Sequence, residues 1–208
     1  MFKRKCKVIL IRHGATIYSE QRRLYDTEEY PPINQKGKDE MENLTKWLAV
    51  RTPHVDAIYT SSSLRAIQSA RILSKHYDID YKEVDGLYER KAGIWGGLTF
   101  EQIEEKYPEM LEKFHENPYE YWPDGGETTQ EVRSRIEKIL YELVKENQYK
   151  TILIVTHEGV IQSAIASILG VAPESQGKII IPTGCASQIN FYSEWATLAY
   201  SAFVPQQS

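Results

Sequence analysis

Two histidines in this sequence stand at the ends of apolar runs. His13 lies in Ile11-Arg12-His13-Gly14, directly after Val8-Ile9-Leu10, and His157 lies in Val155-Thr156-His157-Glu158-Gly159, directly after Thr151-Ile152-Leu153-Ile154. Each run has the length and β-branched content of a buried strand. The C-terminal edge of an α/β sheet is where ligands bind, because strand ends, turns and helix N-termini gather there with backbone N–H groups unpaired. A histidine beside an arginine at one strand end, facing a second histidine at another, suits a phosphate group. One neutral imidazole can attack phosphorus while the arginine neutralises the equatorial oxygens.

Phosphoryl transfer of this kind needs a nucleophile, several cations around the non-bridging oxygens and an acid for the leaving group. Arg12 and His13 follow the first predicted strand. Arg65, in Ser61-Ser62-Ser63-Leu64-Arg65-Ala66, follows the second and falls in the first turn of a helix. Glu89, in Leu87-Tyr88-Glu89-Arg90, follows the third, and His157 follows the fourth. Any one of these is more often structural than catalytic. Five polar groups at successive strand ends, however, converge on one crevice and crowd like charges together unless an anion binds there.

The elements that must position these residues can be read from periodicity. Residues 7–11, 57–60, 79–84 and 151–156 read as strands. Helices are predicted over 35–50 after an N-cap at Asn34, over 63–77, over 99–106 and 129–146, and over 160–169. Thr99 with Gln102, and Thr128 with Glu131, have capping-box spacing. Two β-rich runs between Ser187 and Phe203, separated by Ser193-Glu194, predict an antiparallel pair at the sheet edge. Between Trp95 and Gly126 the pattern weakens, and aromatic residues and prolines accumulate, which suits a cap over the pocket rather than part of the sheet. The expected fold is α/β: three layers, α/β/α, with a mostly parallel central sheet, an antiparallel edge near the C-terminus and an inserted helical cap. Residues 1–208 are expected to form a single domain, with 95–128 as the cap insertion.

Composition narrows the partners. The chain has 208 residues and a formal net charge of -4, so a general affinity for nucleic acid is not expected, and an anion site must be a local basic pocket. The basic start, Met1-Phe2-Lys3-Arg4-Lys5, precedes only a strand-length apolar run, and no run approaches membrane-spanning length. A cytoplasmic protein without membrane partner is expected. Its two cysteines, Cys6 and Cys185, are too few for a disulfide framework or a zinc ribbon.

Arg12-His13-Gly14 with Thr16, the Ser63-Leu64-Arg65-Ala66 stretch, Glu89-Arg90 followed by Gly93-Ile94-Trp95-Gly96-Gly97-Leu98-Thr99, Gly125-Gly126-Glu127-Thr128, and Thr156-His157-Glu158-Gly159 occur in this order. Together they resemble the ordered signatures of the histidine phosphatase superfamily, in its phosphoglycerate-mutase-like branch. The resemblance implies a phosphohistidine mechanism with no metal and no cofactor, acting on a small phosphorylated substrate. His13 would be the nucleophile, its other ring nitrogen held by a backbone group. Arg12, Arg65 and His157 would grip the phosphoryl oxygens. Glu89 would protonate the departing alkoxide, a role that burial under the aromatic cap favours. Thr16, Ser19, Arg23, Arg90 and Glu158 are candidate substrate-binding residues.

The sequence departs from the family pattern at several points. Ala15 replaces the usual glutamate, Ser19 stands where an asparagine is common, Gln162 where arginine often appears, and Glu158 where glycine is frequent. A carboxylate at 158 repels a dianion unless it points away, so Glu158 is expected to offer only its backbone N–H. Hydrolysis is favoured over mutase chemistry because residues 93–99 resemble the phosphatase version of the motif. A mutase-type phosphotransferase and a non-catalytic phospho-ligand-binding relative are the alternatives. Cys6 and Arg12 have the spacing of a cysteine-dependent phosphatase loop, but the residues between them form a β-run whose N–H groups are committed to neighbouring strands. Oligomeric state, monomer or homodimer, is left open.

Overall fold

In the computed structural model the apolar run before His13 forms β1, Cys6–Arg12. The structure describes residues 3–25 and 31–205; Met1 and Phe2 of the basic start lie outside the described residues. Successive side chains of β1 point to opposite faces of the sheet, and both faces are covered: Val8 and Leu10 enter one core, Ile9 and Ile11 the other. The strand before His157, β4 (Lys150–Thr156), divides in the same way, with Ile152 and Ile154 on one side and Leu153 and Val155 on the other.

These two strands are neighbours at the centre of a six-stranded sheet. With β2 (Ala57–Thr60), β3 (Tyr81–Glu83), β5 (Ala186–Phe191) and β6 (Ala196–Phe203), the order is β3-β2-β4-β1-β5-β6. The first four in that order are parallel to one another, whereas β5 runs antiparallel to β1 and β6 antiparallel to β5. Register pairs Arg12 with Thr156, so the two histidines that follow emerge side by side.

Helices fill the outer layers. α2 (Gln35–Arg51) packs Met41, Leu44 and Leu48 on one face of the sheet, beside Ala66, Ala70 and Leu73 of α3 (Leu64–Tyr77). On the other face lie Val132, Ile136, Leu140 and Leu143 of α6 (Thr129–Glu146), with Val160, Ile161, Ala164 and Ile165 of α7 (Glu158–Leu169). These are the 3–4 residue spacings of amphipathic helices. The expected caps are made: Asn34 accepts from the Gly37 N–H, and Thr99/Gln102 and Thr128/Glu131 close reciprocal capping boxes. A short helix, α1 (Ile17–Glu20), follows β1, and α4 (Phe100–Lys106) and α5 (Pro108–Glu116) occupy the aromatic segment. There Trp95, Ile103 and Leu111 form a small core apart from the two that flank the sheet.

Two boundaries differ from expectation. The third strand is only Tyr81–Glu83, because Asp78 turns left-handed (φ 54°) to end α3 and the Ile79 N–H closes back on the Ser74 carbonyl. α7 begins at Glu158 rather than Val160, with His157 as its N-cap, so residues 158 and 159 belong to a helical first turn beside the site. Among the described residues no helix is long and apolar enough to cross a membrane.

Candidate active site

β1 and β4 deliver His13 and His157 to one place: their ring centroids are 5.2 Å apart and both side chains are fully buried. His13 is fixed first through its backbone, its N–H donating to the Thr156 carbonyl at 3.0 Å and its carbonyl accepting from the Gly184 N–H at 3.1 Å. Its ring Nδ1 lies 2.9 Å from the Gly14 carbonyl. A carbonyl only accepts, so Nδ1 carries the proton and Nε2 is left as the lone-pair nitrogen. That Nε2 is buried with no hydrogen-bond partner.

The glycine after His13 is required by a close approach of backbones. A Cβ on Gly14 would stand 2.3 Å from the Gly37 carbonyl oxygen in the first turn of α2. Loop and helix touch there, and the loop is held further by the Gly14 N–H on Ser69 Oγ and the Ala15 N–H on Glu40.

His157 is oriented by a different pair of groups. Its Nε2 lies 2.9 Å from Ser61 Oγ and 3.1 Å from Ser63 Oγ, both on the segment joining β2 to α3, and its Nδ1 is buried without a partner. Arg65, in the first turn of α3, is 1% exposed and its guanidinium stacks 3.9 Å from the Tyr25 ring centroid. Tyr25 also meets the His13 ring edge-on at 5.5 Å and hydrogen bonds Thr16 Oγ1 at 2.7 Å. Burial, then the positive charges of Arg65 and Arg12, hold the His13 pKa well below 6.5; the Gly14 bond acts weakly in the opposite sense. Burial, then Arg65, His13 and Arg12, lower that of His157. Both imidazoles are therefore neutral at physiological pH, the form a nucleophile needs.

Glu89 approaches from the loop after β3. Its Oε1 accepts from the Arg90 N–H at 2.8 Å and from the Gly159 N–H at 3.1 Å. A Cβ on Gly159 would stand 2.7 Å from that oxygen, so the glycine makes room for the carboxylate. The loop is braced by Arg135 of α6, which donates to the carbonyls of Gly86 and Tyr88 and pairs with Glu127 at 2.8 Å. Glu127 in turn accepts from the Lys91 N–H. Thr156 Oγ1 ties the same loop to β4 through the Leu87 carbonyl.

Arg12, Glu89, Glu158 and Gly159 line a cavity of about 490 Å³, together with Phe100, Phe114 and Trp122. Ser19, Arg23 and Arg90 also line it. Arg90 stacks 4.4 Å from the Trp122 centroid and donates to Thr129, and burial brings its pKa down to about 10. Arg23 donates to the Gly97 carbonyl and to Gln21. The Ser19 hydroxyl is spent on the Thr16 backbone in the capping box of α1, and Thr16 is wholly buried, serving as the N-cap of that helix. Gln162 reaches away to the Ile179 carbonyl.

Glu158 corrects the expectation that it would present only its backbone. Its carboxylate lies on the Arg12 guanidinium, Oε2 to Nη1 2.8 Å, because the earlier start of α7 brings the side chain to the cavity wall. Burial raises its pKa, Arg12 opposes the rise, and Glu89 adds to it. Cys6 lies at the opposite end of β1 from Arg12, about 20 Å of strand away, and burial pushes its thiol up to about 11. Tyr25 and Arg135 were not singled out from sequence, and Ser61 and Ser63 were quoted only in the stretch leading to Arg65, without a role of their own. Among the described residues no group of three His, Cys, Asp or Glu side chains gathers to hold a metal ion.

Comparison with known proteins points to one family. Phosphoserine phosphatase 1 of Hydrogenobacter thermophilus is 28% identical over 165 residues, 79% of this chain and 77% of that protein. Fructose-2,6-bisphosphatase of Saccharomyces cerevisiae is 26% identical over 83% of this chain, which spans only 36% of that longer protein. The solved structure of Bacillus stearothermophilus YhfR superposes with a TM-score of 0.87 at 26% identity, over 96% of this chain and 98% of that one. A family model described as the histidine phosphatase superfamily (branch 1) matches residues 8–201.

Proposed function

The chain belongs to the histidine phosphatase superfamily, branch 1, and from that premise we propose that it is a metal-independent phosphomonoesterase working through a phosphohistidine at His13. The observation that carries this reading is how the His13 ring is held: Nδ1 lies 2.9 Å from the Gly14 carbonyl, and Nε2 is buried and unbonded beside His157 and two arginines. In the proposed reaction Nε2 attacks phosphorus and the ester P–O bond breaks. Glu89 gives its proton to the departing alkoxide. Arg12, Arg65 and His157 stabilise the charge on the three equatorial oxygens. Glu89, now a carboxylate, takes a proton from the water that attacks the phosphohistidine, releasing orthophosphate and the free imidazole.

The substrate is a small phosphorylated metabolite, a class consistent with the cavity volume and with the names of the relatives. Residues 95–128 act as the cap that selects it, since Phe100, Phe114 and Trp122 face the cavity while Trp95, Ile103 and Leu111 anchor the segment beneath. A cytoplasmic setting fits two buried cysteines that are free thiols.

The test is phosphate release from an aryl phosphate, and from a panel of metabolite monoesters, in the presence of chelator. Wild type turns over and His13→Ala loses about a thousandfold or more; labelled phosphate is trapped on wild type as an acid-labile, alkali-stable adduct and not on the variant. Faster isomerisation of a phosphoglycerate than phosphate release would replace the hydrolase by a mutase. Ligand binding without any turnover would leave a non-catalytic relative.

A further inference from the structure

Arg12 is held at one end only. Its Nη1 has two acceptors from different parts of the chain, the Glu158 carboxylate at 2.8 Å and the Ile181 carbonyl, while its Nε is buried with no partner. A guanidinium is planar, with its five N–H donors in a rigid fork, so two acceptors on one terminal nitrogen set both the direction and the roll of the whole group. The Arg12 side chain is 11% exposed and the Glu158 side chain 39%, which puts the pair on the cavity wall rather than out in solvent.

We propose that Glu158 is a positioning residue for Arg12: with the Ile181 carbonyl it clamps Nη1 so that the Nε side of the guanidinium is turned to the phosphoryl group. This rests on the phosphatase reading of the site. The clamp has a cost built into it, because a carboxylate beside a phosphate dianion repels it. The two effects belong to different properties of one side chain. Orientation needs an acceptor oxygen at the Oε position, whereas repulsion needs the charge. Glutamine keeps the first and removes the second; alanine removes both.

Orthophosphate binding to the full chain, measured by calorimetry, separates them without relying on turnover. Glu158→Gln is expected to bind orthophosphate several-fold more tightly than wild type. Glu158→Ala is expected to bind it at least fivefold more weakly than Glu158→Gln, because Arg12 is no longer held. Where turnover is measurable, kcat of Glu158→Gln exceeds that of Glu158→Ala by about tenfold. In an Arg12→Lys background, where a point charge replaces the fork, the difference between the two position-158 variants disappears. Equal orthophosphate affinity of Glu158→Gln and Glu158→Ala overturns the proposal, as does a difference that persists with Arg12→Lys, or no orthophosphate binding by any of them. If calorimetry gives the expected pattern in a protein that hydrolyses nothing, the clamp stands and the hydrolase reading falls. If hydrolysis proceeds and the two variants bind alike, the reverse holds.

Discussion

At the scale of single residues, the candidate site is defined by groups that cannot be larger as much as by groups that react. Gly159 shows this most directly. Its N–H donates to Glu89 Oε1, and a Cβ in its place would stand 2.7 Å from that same oxygen and 3.6 Å from the Arg90 side chain. Alanine at 159 suits a helical first turn, so its cost should fall on the carboxylate and not on the helix. Displacing a proton donor by a fraction of an ångström to an ångström lowers turnover by about 10- to 100-fold. Gly159→Ala is therefore expected to lose that much in kcat/KM while its melting temperature stays close to wild type. Wild-type turnover in this variant would mean that Glu89 does not act from its observed position. The histidines, the arginines and Glu89 were legible as candidates because each follows an apolar run. The groups that orient them were not: Tyr25, Ser61, Ser63 and Arg135 make their contacts only after strands distant in sequence become neighbours.

At the scale of elements, the contact between the loop after β1 and the first turn of α2 decides where His13 points. Gly14 and Gly37 face each other so closely that a Cβ on Gly37 would stand 2.3 Å from the Ala15 carbonyl oxygen and 2.5 Å from its nitrogen. Both obstacles are backbone, which has no rotamer to change. Gly37→Ala gains about 1 kcal/mol of helix propensity yet is expected to destabilise the protein by about 2–4 kcal/mol, through the shift it forces on the loop. Urea unfolding measures the net; a stabilised variant would show that α2 can move away freely. The elements themselves were largely readable. Capping residues such as Asn34, Thr99 and Thr128 act on their own nearest turns, so their spacing announces them. What local spacing could not announce was the late start of β3, its first expected residues being spent on closing α3, or α1, a four-residue helix whose capping box uses Thr16 and Ser19. Those two residues, named from sequence as candidates for holding substrate, also cap this helix, Thr16 as its N-cap and Ser19 as the reciprocal partner.

At the scale of the whole molecule, the buried histidines tie stability to pH. Both have folded-state pKa values depressed below 6.5, so as pH falls through that value the unfolded chain takes up protons that the folded chain refuses. The contribution of these two groups to stability is complete above about 6.5 and is lost progressively below it. Glu158, whose pKa is raised, works in the opposite direction, but it is one carboxyl against two imidazoles. Melting temperature is expected to drop between pH 7 and 5, and the drop should shrink in the double variant His13→Gln, His157→Gln. An equal slope in that variant would place the pH dependence elsewhere.

The central position of β1 has a consequence for synthesis. Its register pairs Cys6 with Lys150 on one side and with Phe191 on the other. The strand that carries His13 thus leaves the ribosome long before either of its neighbours exists. During that interval its apolar residues have no ladder to join, and contacts of such long sequence separation form slowly. A nascent or truncated chain lacking residues beyond β4 would carry His13 with neither the Gly184 bond nor the Ile181 carbonyl to hold its surroundings. The pocket around position 13 is therefore completed only when nearly the entire polypeptide is present.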